Sequence, residues 1–136
     1  MNEIPHDTLM AMKAAAKQAA ANAYCIYSDF PVGAALLTKA GQIIPGCNVE
    51  NISFGLTNCA ERTAIFSAVS QGLKKEDLAG LLIYMPGNKL YSPCGACRQV
   101  MAEFLSESAP IYAACDKKEE TTLWQMSELL PASFNF

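Results

Sequence analysis

Two short segments contain the residues whose types and spacing could do chemistry. Residues 59–61 are Cys-Ala-Glu, and residues 93–97 are Pro-Cys-Gly-Ala-Cys. Cys94 and Cys97 are three positions apart, a spacing that lets two thiols bind one metal ion, and Cys59 offers a third thiol. Because no fourth cysteine lies nearby in the sequence, this set predicts tetrahedral zinc with one open position. A water molecule occupies such an open position, and the zinc ion lowers the pKa of that water to about 7, which suits hydrolysis.

Charged residues near these thiols could complete the site. On a helix, Glu61 shares a face with the apolar positions 64, 65 and 68, and an apolar setting raises the pKa of a carboxyl group. A carboxyl group of that kind can take a proton from a water activated by zinc and pass it on. Three thiolates outweigh the charge of Zn²⁺, so Arg62 and Arg98, each near a thiol in the sequence, are candidates to offset the excess.

Each signal alone has a simpler explanation. A single C-x-x-C pair also fits core thiols or redox thiols, and Glu61 alone would be a solvated or capping glutamate. A structural zinc ribbon would need a fourth Cys or His, and His6 is the only histidine. Cys25, Cys47 and Cys115 lie in or beside apolar segments, and we predict that they are core residues.

The composition predicts one domain over residues 1–136. Hydrophobic residues make up 51% and charged residues 17%, which is enough apolar material for a core and favours contact between copies of the chain. The net charge is −3 and the 10 Lys+Arg are scattered, so we expect no nucleic-acid partner. No apolar run reaches about 18–20 residues, so no membrane span is expected. The first residues lack an export signal, which predicts a cytoplasmic protein without a disulfide framework.

Hydrophobic periodicity predicts an α/β fold with helices covering a mixed sheet. An alanine-rich helix over residues 7–23 would be capped by Asp7 or Thr8. Pro45 and Gly46 mark the second strand as an edge strand or a bulged one. The predicted strands are residues 32–38, 43–50, 78–84 and 111–115, and the later helices are residues 59–71, about 93–106 and 123–130.

Zinc deaminases carry a pattern in which a ligand and a glutamate, two positions apart, precede a Pro-Cys-x-x-Cys segment. Further segments of this chain extend that match over residues 23–134, and the sequence closely resembles the small, homotetrameric, zinc-dependent cytidine deaminases. The matching segments are YSDFPVGAAL at 27–36, GCNVEN at 46–51, CAERTA at 59–64, SPCGACRQ at 92–99 and LLP at 129–131. The resemblance implies a three-layer α/β/α fold of the cytidine deaminase type, with a sheet of about five strands.

The resemblance also implies a role for each candidate residue. One zinc ion per chain would be bound by Cys59, Cys94 and Cys97. Glu61 would be the proton shuttle, and Arg62 would offset thiolate charge. The remaining roles concern the substrate: the backbone N–H of Ala60 would meet the pyrimidine carbonyl, Asn48 and Glu50 would hold a ribose hydroxyl, Phe30 would line the pocket, and Phe134 would reach a neighbour's pocket and stack on the base.

The reaction implied is hydrolytic deamination of cytidine and 2′-deoxycytidine to uridine and 2′-deoxyuridine plus ammonia, as in pyrimidine salvage. The expected partners are a nucleoside substrate and three further copies of the chain, with sites shared between subunits. Phe54 departs from the family, which commonly has tyrosine there.

Other functions are less consistent with these residues. Nucleotide and nucleic-acid deaminases usually begin the signature with His and need basic residues for phosphate. A blasticidin-type deaminase shares the zinc motifs, but the pair Asn48 and Glu50 favours an ordinary nucleoside. Against a structural zinc protein or an inactive interaction module stand the intact Glu61 and the lack of a fourth soft ligand.

Overall fold

A five-stranded mixed sheet lies at the centre of this computed structural model, which describes residues 3–134. The helices are α1 (His6–Ala20), α2 (Ala60–Ser70), α3 (Gly95–Phe104) and α4 (Met126–Leu129), and single 3₁₀ turns lie at Phe54–Leu56 and Lys75–Asp77. The strands are β1 (Gly33–Thr38), β2 (Ile43–Cys47), β3 (Leu78–Met85), β4 (Pro110–Cys115) and β5 (Thr122–Gln125). The sheet order is β2-β1-β3-β4-β5, in which β3 and β4 are parallel and the other neighbours antiparallel.

Helices cover both faces of the sheet. Residues 34 and 36 of β1 pack in one core with α2 and α3, whereas residues 35 and 37 pack in a second core with α1. This alternation follows from the two-residue period of a strand, and it makes β1, β3 and β4 almost entirely buried. The predicted three-layer α/β/α arrangement with five strands is therefore confirmed.

The register brings several chain segments to one end of the sheet. Cys47 at the end of β2 pairs with Gly33 at the start of β1, and Gly33 pairs with Tyr84 near the end of β3. The segments that follow β2 and β3, and the one that precedes β1, therefore start from the same sheet end. The helices α2 and α3 begin after two of these segments, so their N-termini lie close together.

Two glycines let the helices approach the sheet closely. A Cβ atom on Gly33 would lie 1.7 Å from the carbonyl oxygen of Ala16 in α1. A Cβ atom on Gly46 would lie 2.4 Å from the backbone nitrogen of Ala64 and 2.7 Å from the carbonyl oxygen of Ala60, both in α2. Gly46 therefore fixes the first turns of α2 against the edge strand.

The structure corrects the prediction for the C-terminal segment. Residues 122–125 form β5, which pairs with β4, and only Met126–Leu129 is helical. Thr122 and Trp124 have side chains that favour strands, and the edge of β4 offers them a hydrogen-bonding partner. The backbone N–H of Gln125 donates to the Glu128 carboxylate at 2.8 Å, and this bond marks the start of the helix.

The N-terminal helix also differs from the prediction. Neither Asp7 nor Thr8 caps it: Pro5 occupies the position before α1, with extended backbone, and its carbonyl accepts from the Leu9 N–H at 2.9 Å. The helix ends at Ala20 rather than at residue 23. The chain turns there because the next residues run to the sheet end and bond to the segment after β2.

Two of the three cysteines predicted for the core are not core residues. Cys115 is fully buried in β4, but Cys25 and Cys47 are only half-buried. Cys25 follows α1 in a turn, and Cys47 is the last residue of the edge strand, so each keeps one side open. Among the described residues, no helix combines the length and the apolar character needed to cross a membrane.

The contact at Gly33 gives a test of helix packing. Gly33→Ala should lower the free energy of unfolding by about 3 kcal/mol, because α1 must move to admit the methyl group. Gly55→Ala is the matched control, since a Cβ atom there meets nothing within 4 Å, and it should change that free energy by less than about 1 kcal/mol. Urea unfolding followed by circular dichroism measures both, and equal stability of the two variants would contradict this packing.

Candidate active site

Three thiols meet at the ends of two helices. Cys59 immediately precedes α2, Cys94 immediately precedes α3, and Cys97 lies in the first turn of α3. Their sulfur atoms all lie within 4.8 Å of one another, and those of Cys59 and Cys94 are 3.8 Å apart. Two sulfur ligands at about 2.3 Å from a tetrahedral zinc ion would be about 3.8 Å apart, so the spacing fits zinc.

The surroundings of the thiols favour negative charge. At both helix N-termini the first backbone N–H groups have no partner within the helix, and the N–H of Cys97 donates to the Cys94 sulfur at 3.4 Å. A hydrogen bond from Cys97 and the adjacent Arg62 guanidinium lower the pKa of the Cys59 thiol to about 5. The neighbouring Cys59 and burial raise the pKa of Cys97. One thiol therefore ionises easily, and a bound cation is needed to make all three thiolates stable together.

The two arginines have different roles. Nη2 of Arg62 donates to the Cys59 sulfur at 3.3 Å and approaches the Thr57 carbonyl at 3.4 Å. Its Nε is buried and has no hydrogen-bond partner within residues 3–134, so attraction to the sulfurs must offset its desolvation. Arg98 instead donates to the carbonyls of Pro93 at 2.7 Å and Leu129 at 3.0 Å. Of the two candidates, the structure places only Arg62 against a thiol.

Glu61 lies in the first turn of α2, beside the thiols. It is only 5% exposed, and burial raises its pKa above the ordinary value for glutamate. Ala64, Ile65 and Ala68, which share a face of α2 with Glu61, are fully buried, as the sequence predicts. A carboxyl group with a raised pKa beside a metal-sized cluster can both accept and release a proton during hydrolysis.

A cavity of about 300 Å³ opens beside these groups. Its volume is at the lower end for small-molecule sites, which run from about 300 to 1,000 Å³. The lining includes Cys59, Cys94, Ala60 and Glu61, together with Asn48, Glu50 and Phe30. The residues that sequence reasoning missed are Ser28, Val32, Thr57, Ile83, Met85, Tyr91, Ser92 and Pro93.

Asn48 and Glu50 line the same cavity as the thiols of Cys59 and Cys94. The Asn48 side chain is buried, where its Oδ1 accepts from the Val32 N–H at 2.9 Å and its Nδ2 donates to the Phe30 carbonyl at 3.0 Å. Glu50 is half-buried and accepts from the Tyr27 N–H at 2.9 Å. Each side chain keeps further hydrogen-bonding capacity, and both residues line the cavity.

The remaining predicted residues have distinct positions. Ala60 is the first residue of α2, so its N–H has no partner within the helix, and it lines the cavity. Phe30 contacts Tyr91 edge to face, with ring centroids 6.2 Å apart. Phe134 is 72% exposed and lines a separate groove near the end of α3 rather than its own chain's cavity.

Zinc content tests the ligand assignment. Cys97→Ala should lose most of the bound metal, because two thiols and water hold zinc far more weakly than three. Cys115→Ala is the matched control, since Cys115 is equally buried but lies in β4, outside the thiol cluster. Metal analysis of both purified proteins should show about one zinc per chain in the control only. Equal zinc in both would rule out this set of ligands.

Comparison with known proteins agrees with this geometry. The family model of the cytidine and deoxycytidylate deaminase zinc-binding region matches residues 6–113. The chain is 48% identical to a cytidine deaminase from Sporosarcina psychrophila over 124 residues, covering 90% of this chain and 88% of the relative. It is also 48% identical over 120 residues to a cytidine deaminase from Halalkalibacterium halodurans, with 86% of each chain covered.

A solved structure shows the same fold. The cytidine deaminase from Burkholderia pseudomallei superimposes with a TM-score of 0.88 at 40% identity, covering 96% of this chain and 100% of the other. The sequence match, the fold and the cluster of three thiols at two helix N-termini therefore agree, and they confirm the family and the metal expected from the sequence. This chain belongs to the zinc-dependent cytidine deaminase family.

Proposed function

We propose that the chain catalyses hydrolytic deamination of cytidine and 2′-deoxycytidine to uridine and 2′-deoxyuridine, with release of ammonia. The observation that carries this function is the buried Glu61 beside three thiols spaced for zinc, next to a cavity of about 300 Å³ that Glu61 helps to line. Pyrimidine salvage is the usual role of such an activity. A cytoplasmic location is our prediction from the sequence.

Cys59, Cys94 and Cys97 would hold the zinc ion, whose chemistry when bound is to activate water for attack on a carbon–nitrogen bond. Glu61 takes a proton from the attacking water and delivers it to N3 of the base. It then takes the proton of the new hydroxyl group on C4 and delivers it to the amino nitrogen, so that the C4–N bond breaks and ammonia leaves. Its raised pKa suits repeated uptake and release of a proton. The Ala60 N–H, at the positive end of α2, donates to the pyrimidine carbonyl and so orients the base.

Asn48 and Glu50, in the lining of the cavity, bind the sugar under this proposal. Asn48 can donate and Glu50 can accept, so the pair complements a hydroxyl group that does both. The carboxylate would repel a phosphate on the sugar, which favours nucleosides over nucleotides. Phe30 supplies an apolar wall beside them.

Glu61→Gln tests the proton shuttle. The amide has nearly the same shape, so zinc should be retained, but it cannot accept the proton, and kcat should fall by at least 10²–10⁴-fold. Glu103→Gln, on the exposed surface of α3, is the matched control and should keep full turnover. Ultraviolet assays of cytidine conversion with parallel metal analysis give both quantities. Near-normal kcat in a zinc-loaded Glu61→Gln protein would show that another group moves the proton.

The chain would act as a homotetramer with shared sites. Four apolar side chains, those of Ile26, Ile52, Phe54 and Leu56, are between 65% and 81% exposed, and contact with other copies of the chain would bury them. Phe134 lies past Pro131, is 72% exposed and does not line its own chain's cavity, which supports a role at a neighbouring subunit's site. Stacking of a pyrimidine on an aromatic ring is worth about 1–3 kcal/mol.

Subunit mixing tests the shared site. Phe134→Ala alone should lower kcat/KM about 10–100-fold while keeping zinc. When Phe134→Ala and Glu61→Ala subunits are refolded together, some sites combine an intact Glu61 with a neighbour's Phe134, so activity should exceed that of either parent. Phe134→Ala subunits mixed with the Phe134→Ala/Glu61→Ala double variant are the control and should show no gain. A gain no larger than in this control would place Phe134 outside any shared site.

A further inference from the structure

The Glu50 carboxylate is held by the loop of residues 27–30. Its Oε1 accepts from the backbone N–H of Tyr27 at 2.9 Å and of Ser28 at 3.1 Å. Its Oε2 accepts from the Ser28 hydroxyl. Both carboxylate oxygens are therefore engaged on the loop side, and the orientation of the carboxylate is set before any ligand arrives.

The Ser28 hydroxyl joins two parts of the cavity. While it donates to Glu50, it accepts from the backbone N–H of Phe30 at 3.1 Å. Ser28, Glu50 and Phe30 all line the cavity. One small side chain thus links the carboxylate to the segment that carries the aromatic wall.

We propose that Ser28 is a positioning residue, whose hydroxyl fixes the Glu50 carboxylate so that its remaining lone pair, on Oε2, faces the sugar hydroxyl of the substrate. The inference rests on the proposed function, because it needs Glu50 to bind the sugar. Glutamate has a flexible side chain, and binding is stronger when its conformation is already fixed. The Ser28 hydroxyl is also the largest influence that lowers the pKa of Glu50, which keeps the acceptor ionised.

Loss of the hydroxyl should weaken sugar binding without abolishing it. In Ser28→Ala the two backbone donors to Oε1 remain, but Oε2 loses its partner and the carboxylate can rotate. A hydrogen bond to a charged group is worth about 10–100-fold, so we expect kcat/KM for cytidine to fall about 10-fold, mainly through KM. Ser28→Thr keeps the hydroxyl and should restore most of the loss.

The decisive comparison uses cytidine and 2′,3′-dideoxycytidine, which lacks the ring hydroxyls. Both are assayed with the zinc-loaded wild-type protein and with Ser28→Ala, Ser28→Thr, Glu50→Ala and the Ser28→Ala/Glu50→Ala double variant. Ser70→Ala is the matched control, because that hydroxyl donates only to the Ser67 carbonyl at the far end of α2. Zinc content and melting temperature are measured for every protein.

The proposal is supported if Ser28→Ala loses activity on cytidine but changes activity on the dideoxy substrate less than about 2-fold, and if it adds nothing in the Glu50→Ala background. It is overturned if Ser28→Ala keeps its full activity, or if it loses the same fraction of kcat/KM on both substrates, while Glu50→Ala loses more kcat/KM on cytidine than on the dideoxy substrate. If Glu50→Ala itself loses equally on both, the sugar role of Glu50 has failed, and the inference fails with it. If Ser28→Ala does not fold, Ser28→Cys takes its place, because the cysteine thiol is similar in size and a weak donor. Its loss of kcat/KM on cytidine is then compared with its loss on the dideoxy substrate in the same way.

Discussion

Negative charge gathered at one point is the constraint on which the rest of the structure depends. Three sulfur atoms lie within 4.8 Å of one another, and each must lose its proton to bind zinc. Two helix N-termini and Arg62 offset that charge. Because these groups act only at short range, α2 and α3 must start at the same end of the sheet, and the close contact at Gly46 holds α2 there.

Much of this arrangement could be predicted because local signals agreed with the fold. The continuous apolar run of β3 indicates burial on both faces, and Pro45 correctly marks β2 as an edge strand. The Cys-x-Glu and Cys-x-x-Cys segments each place a cysteine at the start of a helix. Since both helices begin at the same end of the sheet, their sulfur atoms meet in one cluster, as the spacings predict. The prediction of a helix over residues 122–125 was wrong, because a four-residue strand is too short for its periodicity to differ from that of a helix.

The lining of the cavity was harder to predict than its chemistry. Ile83 and Met85 are two apart near the end of a buried strand, so strand alternation could have placed them on one face at the site. Ser28 and Tyr91 carry no such signal, because serine and tyrosine are common in loops. Their contacts with Glu50 and Phe30 arise only when separate loops meet at the sheet end. Cys25 and Cys47 were wrongly predicted as core residues because apolar neighbours do not reveal that a segment lies at an edge.

The cavity is lined by two kinds of backbone. Cys59 and Cys94 stand at helix starts packed on the sheet, whereas Asn48 and Glu50, which we propose to bind the sugar, lie in an irregular segment. Isolated bonds join that segment to Tyr24: Tyr24 N–H to the Asn48 carbonyl at 3.0 Å and Glu50 N–H to the Tyr24 carbonyl at 2.8 Å. Irregular segments open locally at lower free energy than packed helices. Amide protons of residues 48–50 should therefore exchange with solvent sooner than those of α2. Under the proposed function, brief local opening of this segment would admit the substrate and release the product while Glu61, on the packed helix, stays in place.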